Sequence, residues 1–156
     1  MRVFTLLFGI GLLFGCAGME KKAAAAQEIN WYKLSEGKQL AKEQKKPMMV
    51  DFYYSGECPR CRQMDEVYRN PEIVGKLNAD FISIRIELSG AISKEEDELG
   101  QKYGYGHDCL LLFLDYNGDV IEEAGQRLCF VQAVDEKWFL EHLDLVKEKN
   151  REKNSS

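Results

Sequence analysis

The apolar residues of this chain fall into runs with two different periods. Met48-Met49-Val50-Asp51-Phe52-Tyr53 is almost continuously apolar between Pro47 and the Ser55-Gly56 turn, which predicts a largely buried strand. Phe81 to Leu88 alternates apolar with polar from Ile82 onward, the period of a strand. Leu110 to Leu114 is an unbroken apolar run between turn residues and predicts a central strand. The segments between keep helical spacing. Trp31 to Lys46 sets Leu34, Leu40 and Ala41 among charged residues, with Ser35 as the expected N-cap and Pro47 as the stop. A helix from Cys58 carries Met64, Val67 and Tyr68 on one side and ends at Asn70-Pro71. Glu72 to Leu77 predicts a short second helix, and Ser93 to Tyr103 a polar one capped by Ser93, with Gly104 near its end. Asn117-Gly118 between apolar residues predicts a hairpin whose return strand is Asp119 to Ala124. Asp135 to Lys149 predicts a last amphipathic helix, with Phe139, Leu143 and Val146 buried, His142 facing solvent and Asp135 as cap.

This order predicts a small α/β layer fold: a central mixed sheet with flanking helices, completed by a C-terminal β-hairpin plus helix. The first two strands, joined through helices, are expected to be parallel, and the hairpin to add an antiparallel pair. A length of 156 residues fits one domain.

The first 16 residues stand apart. Arg2 is their only charge, and Val3 to Phe14 is apolar apart from Thr5, Gly9 and Gly11. That run is too short to span a bilayer and fits an export signal. Its end, Leu13-Phe14-Gly15-Cys16, resembles the lipobox of bacterial lipoproteins, with Phe14 bulkier than usual for its place. The resemblance implies lipidation of Cys16 and a periplasmic chain held on a bacterial membrane. With Ala17 rather than Asp after the cysteine, it favours the outer membrane. Residues 17–29 read as a tether, 30–149 as the folded domain and 150–156 as a polar tail that frays. The net charge of −5 includes no strongly basic face, which argues against nucleic acid as a partner.

The chemistry concentrates at Cys58-Pro59-Arg60-Cys61. Two cysteines at a strand-to-helix junction suit dithiol-disulfide exchange. The first sulfur sits where free backbone N–H groups favour a thiolate, and the second lies one turn on, able to resolve a mixed disulfide. Pro59 suits the first helical turn because it lacks an N–H that would go unpaired there. Arg60 and Arg62 favour the thiolate, whereas Glu57 opposes it. Outside the cytosol, Cys58, Cys61, Cys109 and Cys129 are enough to pair fully, with connectivity left open by spacing. No cofactor is implied, and a single Cys-x-x-Cys falls short of a four-cysteine zinc site.

Strand order and motif together resemble the thioredoxin fold over roughly residues 31 to 147, closest to exported thioredoxin-like proteins. Lys46-Pro47-Met48-Met49-Val50-Asp51-Phe52, Leu112-Phe113-Leu114-Asp115 with Asn117-Gly118, and Gly125 carry the likeness. The resemblance implies a thiol–disulfide oxidoreductase with Cys58 as nucleophile and Cys61 as resolving thiol, acting on protein thiols or disulfides of the cell envelope. It offers Asp51 as a buried proton relay, although the Asp51-to-Cys58 interval is one residue longer than usual; without an insertion Phe52 takes the place. Glu57 stands where the family usually has Trp. Cys109 stands where it usually has a cis-proline, and the three prolines are at 47, 59 and 71. Cys109 could be a third redox thiol, a partner of Cys129, or with Cys58 and Cys61 a ligand of a metal or iron–sulfur cluster. His107 could approach the same mouth, and Tyr53, Tyr54, Tyr103 and Tyr105 could line it. A metal carrier and a non-catalytic thioredoxin-like binding module are the alternatives to an enzyme.

Overall fold

The computed structural model describes residues 28–105, 110–123, 126–127, 129–130 and 135–155, with only backbone pairing described for residues 122–130. In chain order the elements are β1 (Trp31–Tyr32), α1 (Leu34–Gln44), β2 (Met48–Tyr53), α2 (Pro59–Val67), α3 (Pro71–Asp80), β3 (Ile82–Glu87), α4 (Lys94–Tyr103), β4 (Leu110–Leu114), β5 (Glu122–Glu123), β6 (Gln126–Arg127), β7 (Cys129–Phe130) and α5 (Glu136–Asn154). The main sheet has the order β1-β3-β2-β4-β7. Its first three strands run parallel, and β4 runs antiparallel to β2 with Met48 opposite Leu114 and Phe52 opposite Leu110. The expected mixed sheet with flanking helices is therefore present.

The run that predicts β2 is buried on both faces because helices cover both. Met49 joins Met64, Ile73, Leu77, Phe113, Phe139 and Leu143 in the layer under α2, α3 and α5. Met48, Val50 and Phe52 point the other way, into a layer with Leu34 and Ala41 of α1 and the far face of β3 and β4. Continuous apolar sequence is what a doubly covered strand requires.

Some boundaries differ from the sequence reading. Trp31 and Tyr32 are a short parallel strand against Ser83 and Ile84 rather than the start of a helix. Helix α1 begins at Leu34 and its N-cap is Lys33, with no side-chain cap bond, so Ser35 lies inside it. The start is set by edge pairing and by burial of Leu34 instead of by a capping hydroxyl. The hairpin turn forms: Gly118 takes φ 96°, which glycine adopts without strain, and Asp115 accepts N–H bonds from Asn117 and Asp119 on one carboxylate oxygen. The return strand stops early. Val120 bridges Leu114 and the Ile121 N–H bonds to Phe113, after which Glu122 and Glu123 pair with β6. β7 takes over beside β4, with Cys129 opposite Leu112.

The fraying expected of residues 150–156 does not set in at 150, because α5 continues to Asn154. Buried Asn150 accepts from the Tyr116 N–H at 3.3 Å and donates to the Lys45 carbonyl at 3.1 Å, and Lys153 reaches buried Asp115 at 2.9 Å. His142 is buried, not solvent-facing, and stacks on Trp138 with ring centroids 4.7 Å apart. The hydrophobic stripe of α5 is wider than the Phe139, Leu143 and Val146 positions alone.

Candidate functional site

The chain leaves the carboxyl end of β2 at Tyr53, crosses the Ser55-Gly56-Glu57 turn and enters α2 at Pro59. Cys58 is the N-cap residue of α2, in extended conformation, and its Sγ accepts the Cys61 N–H at 3.1 Å. The two sulfurs are joined as a disulfide, with Cα atoms 5.3 Å apart. Cys58 is half-buried, whereas Cys61 is buried and also receives the Tyr54 N–H on its sulfur at 3.4 Å. One sulfur can be reached by a partner and the other is shielded behind it.

Glu87, the last residue of β3, holds the preceding turn. One of its carboxylate oxygens accepts the backbone N–H groups of Ser55 and Ser89, each at 3.1 Å, and also the Ser89 hydroxyl. The Ser55 and Ser89 hydroxyls are 2.6 Å apart. Burial works to raise the Glu87 pKa, but the hydrogen bonds from Ser89 and Ser55 outweigh it and hold the pKa below the usual value.

Beneath α2, Asp51 points into the layer shared with Tyr68 and Asp65. It is buried, and the cost of desolvating its charge raises its pKa to about 6, against the pull of Arg85. Arg85 lies opposite Asp51 in the parallel register and donates to one of its oxygens from Nη2 at 3.0 Å and Nε at 3.2 Å. The guanidinium carbon lies 4.1 Å from the ring centroids of both Trp31 and Tyr53. A second carboxylate, Asp65 of α2, accepts from Arg85 at 3.5 Å and from the Tyr53 hydroxyl at 2.9 Å. Tyr68 presents a buried hydroxyl towards Asp51, and burial together with the Asp51 charge pushes its pKa well up. A cavity of about 500 Å³ opens on this cluster, lined by Trp31, Asp65, Tyr68 and Arg85 among others.

This strand order, with a disulfide-bonded cysteine pair at the start of α2, matches known proteins. A family model described as thioredoxin-like covers residues 30–106. The fold of this chain is thioredoxin-like. It is similar to the solution structure of a thioredoxin from Thermus thermophilus, with a TM-score of 0.61, 24% identity, and coverage of 79% of this chain and 90% of that one. The DsbH oxidoreductase structure gives 0.61 at 17% identity, over 90% of this chain and 95% of that one. A putative disulphide-isomerase from Bacteroides thetaiotaomicron gives 0.57 at 24% identity, over 81% and 96%. No curated protein matches the chain in sequence.

Within this thioredoxin-like frame, Asp51 takes the inward position and Phe52 the opposite face of the sheet, where it stacks on Tyr105 with centroids 5.4 Å apart. Glu57 and Arg62 are exposed and Arg60 is half-buried. Tyr53 belongs to the Arg85 cluster, Tyr54 is exposed, and Tyr103 and Tyr105 belong to the α1 and α4 layer. Cys16, His107, Cys109 and Gly125 lie outside the described residues, as does the Cys109–Cys129 pairing; the Cys129 backbone is placed on β7. Among the described residues no three His, Cys, Asp or Glu side chains gather in a metal-binding arrangement.

Arg85, Asp65 and Glu87 were missed by the sequence reading. Arg85 carried a weak signal, as a long cation on the polar phase of an otherwise apolar strand. It becomes legible only once β2 and β3 are aligned in parallel, because the register then puts it against Asp51.

Proposed function

We propose that this chain is a thiol–disulfide oxidoreductase, anchored through lipidated Cys16 on the periplasmic face of a bacterial membrane, preferentially the outer one, and exchanging electrons with protein thiols and disulfides of the cell envelope. The observation that carries the reading is the Cys58–Cys61 disulfide with Cys58 reachable and Cys61 shielded at the start of α2. The anchoring rests on the N-terminal sequence alone.

From the reduced dithiol, the Cys58 thiolate attacks one sulfur of a partner disulfide. The partner S–S bond breaks, a mixed disulfide forms on Cys58, and the first partner sulfur leaves as a thiolate that takes a proton. Cys61 then gives up its proton and attacks the Cys58 sulfur. The mixed disulfide breaks, the second partner thiol is released, and the Cys58–Cys61 bond remains. Two electrons and two protons pass to the partner. From the disulfide form the same steps run in reverse, and the reduction potential sets the direction.

The Asp51 carboxylate is the acceptor this reading assigns to the Cys61 proton. Three observations support it: its burial under the helix that carries Cys61, a pKa raised to about 6, and its place on β2, whose continuation at Tyr54 touches the Cys61 sulfur. Arg60 and Arg62 favour the Cys58 thiolate and Glu57 tempers it.

The test is a Cys61→Ser variant in envelope extracts. Partner proteins should accumulate as dithiothreitol-sensitive adducts on Cys58 and disappear when Cys58→Ser is added. A chain that never captures a partner is not an exchange enzyme and falls back to a binding module.

A further inference from the structure

The three parallel strands give the domain two unlike ends. Cys58 follows the carboxyl end of β2, and the length of that strand, roughly 20 Å, separates it from the opposite end. At that opposite end Lys45, Lys46, Lys147 and Arg151 line a shallow cavity of about 230 Å³ together with Pro47, Asn150, Asn154 and one carboxylate, Asp80. Asp80 pairs with Lys147 at 2.8 Å, while Lys45 and Lys46 form no ion pair with the described carboxylates. Glu148 and Glu152 on the flank are taken up by Arg151 and Lys149. In a chain of net charge −5, this lining sets four cations against one carboxylate.

The N-terminal segment enters from the same end. Asn78, two residues before Asp80 on the last turn of α3, donates to the Glu28 carbonyl at 2.8 Å and accepts the Asn30 N–H at 2.9 Å. Twelve positions separate Glu28 from Cys16, a span of at most about 40 Å however the segment folds.

We propose that this cationic end docks on the anionic phospholipid surface to which the N-terminal segment anchors the chain, so that the dithiol faces away from the membrane. The proposal rests on the anchored reading above for its orientation, and on Lys45, Lys46, Lys147 and Arg151 for its chemistry. Lysine and arginine near a surface of lipid phosphates are attracted over about a Debye length, so docking is sensitive to salt. The anchor allows excursions of several Debye lengths, but it keeps the local concentration of this end at the surface high, so that weak attraction suffices for docking.

The test places the full-length chain with vesicles of phosphatidylcholine, with and without phosphatidylglycerol, and labels lysines with a water-soluble amine reagent. Lys45 and Lys46 should be protected at least several-fold only when phosphatidylglycerol is present and salt is low, while exposed Lys94 reacts equally throughout. A Lys45→Asn/Lys46→Gln variant, in which asparagine suits the positive φ of position 45, should lower salt-sensitive binding to phosphatidylglycerol vesicles roughly tenfold while its dithiol exchange rate stays unchanged. Equal protection with and without phosphatidylglycerol overturns the proposal. So does equal protection by inorganic phosphate alone, which would make this an anion pocket. Flotation with vesicles at high salt reports on the anchor separately: its loss removes the anchored reading and leaves the lysine result to decide the surface.

Discussion

Arg85 binds a single oxygen of Asp51 through two donors while two aromatic rings, Trp31 and Tyr53, hold its guanidinium in place. The arginine opposes desolvation, which alone would drive the Asp51 pKa higher. Replacing it by leucine removes both donors and the charge. We predict that Arg85→Leu moves the Asp51 titration upward by about one unit or more, read from the carboxyl carbon shift by NMR. The pH at which Cys61-dependent release of partner becomes fast should rise with it. An Asp51 titration unmoved in Arg85→Leu would mean that the pair is structural only.

Glu87 acts on the dithiol from outside it. Its carboxylate collects two backbone N–H groups and so fixes the Ser55 turn against Ser89. Glu87→Ala should free both amides, seen as at least roughly tenfold faster hydrogen exchange at Ser55 and Ser89, and slow disulfide exchange several-fold. Because Glu87 is largely exposed, global stability should change by less than about 1 kcal/mol. Unchanged exchange at both amides would remove the clamp from the account.

What the sequence disclosed follows from physical range. β2, β3 and β4 were legible because a strand covered on one or both faces writes its burial into consecutive residues. The start of α2 at Cys58-Pro59 was legible because proline and the helix N-terminus set one another locally. β1 was not, since two residues carry no period and Trp31-Tyr32 is a strand only by pairing with Ser83-Ile84. The end of α5 was hidden for the same reason: Lys153 is charged in sequence and finds Asp115 only in the fold. At the site, the cysteines announced themselves, while Asp51 waited on the turn length and Arg85 on the strand register.

Gly37 shows a packing limit that sequence did not disclose. It lies in α1 where a Cβ would stand 2.5 Å from Cγ1 of Ile84, a side chain fully buried in β3. Alanine gains about 1 kcal/mol of helix propensity but forces the helix off the sheet, at about 1–3 kcal/mol. Gly37→Ala should therefore lower stability by up to about 2 kcal/mol in urea melts and leave dithiol reactivity alone. A variant as stable as the parent, or more so, would show that α1 can shift outward freely.

Two buried groups should pull the pH profile of stability in opposite directions. Asp51 has a folded pKa raised by desolvation from 3.8 to about 6, so the stability it contributes is full below 3.8 and is lost as pH rises towards 6. His142, packed between Trp138 and Phe113, has a pKa lowered by burial from 6.5 to about 4, so its contribution is full above 6.5 and is lost as pH falls towards 4. Each shift corresponds to on the order of 3 kcal/mol, and the two windows overlap. These two contributions should nearly cancel in the parent protein between pH 4 and about 6. Asp51→Asn should uncover stability that climbs with pH, and His142→Gln stability that declines with pH. Urea unfolding of the parent and both variants across that range decides the matter: if either variant keeps the parent profile, its residue titrates alike in the folded and unfolded chain and is not the buried group described here.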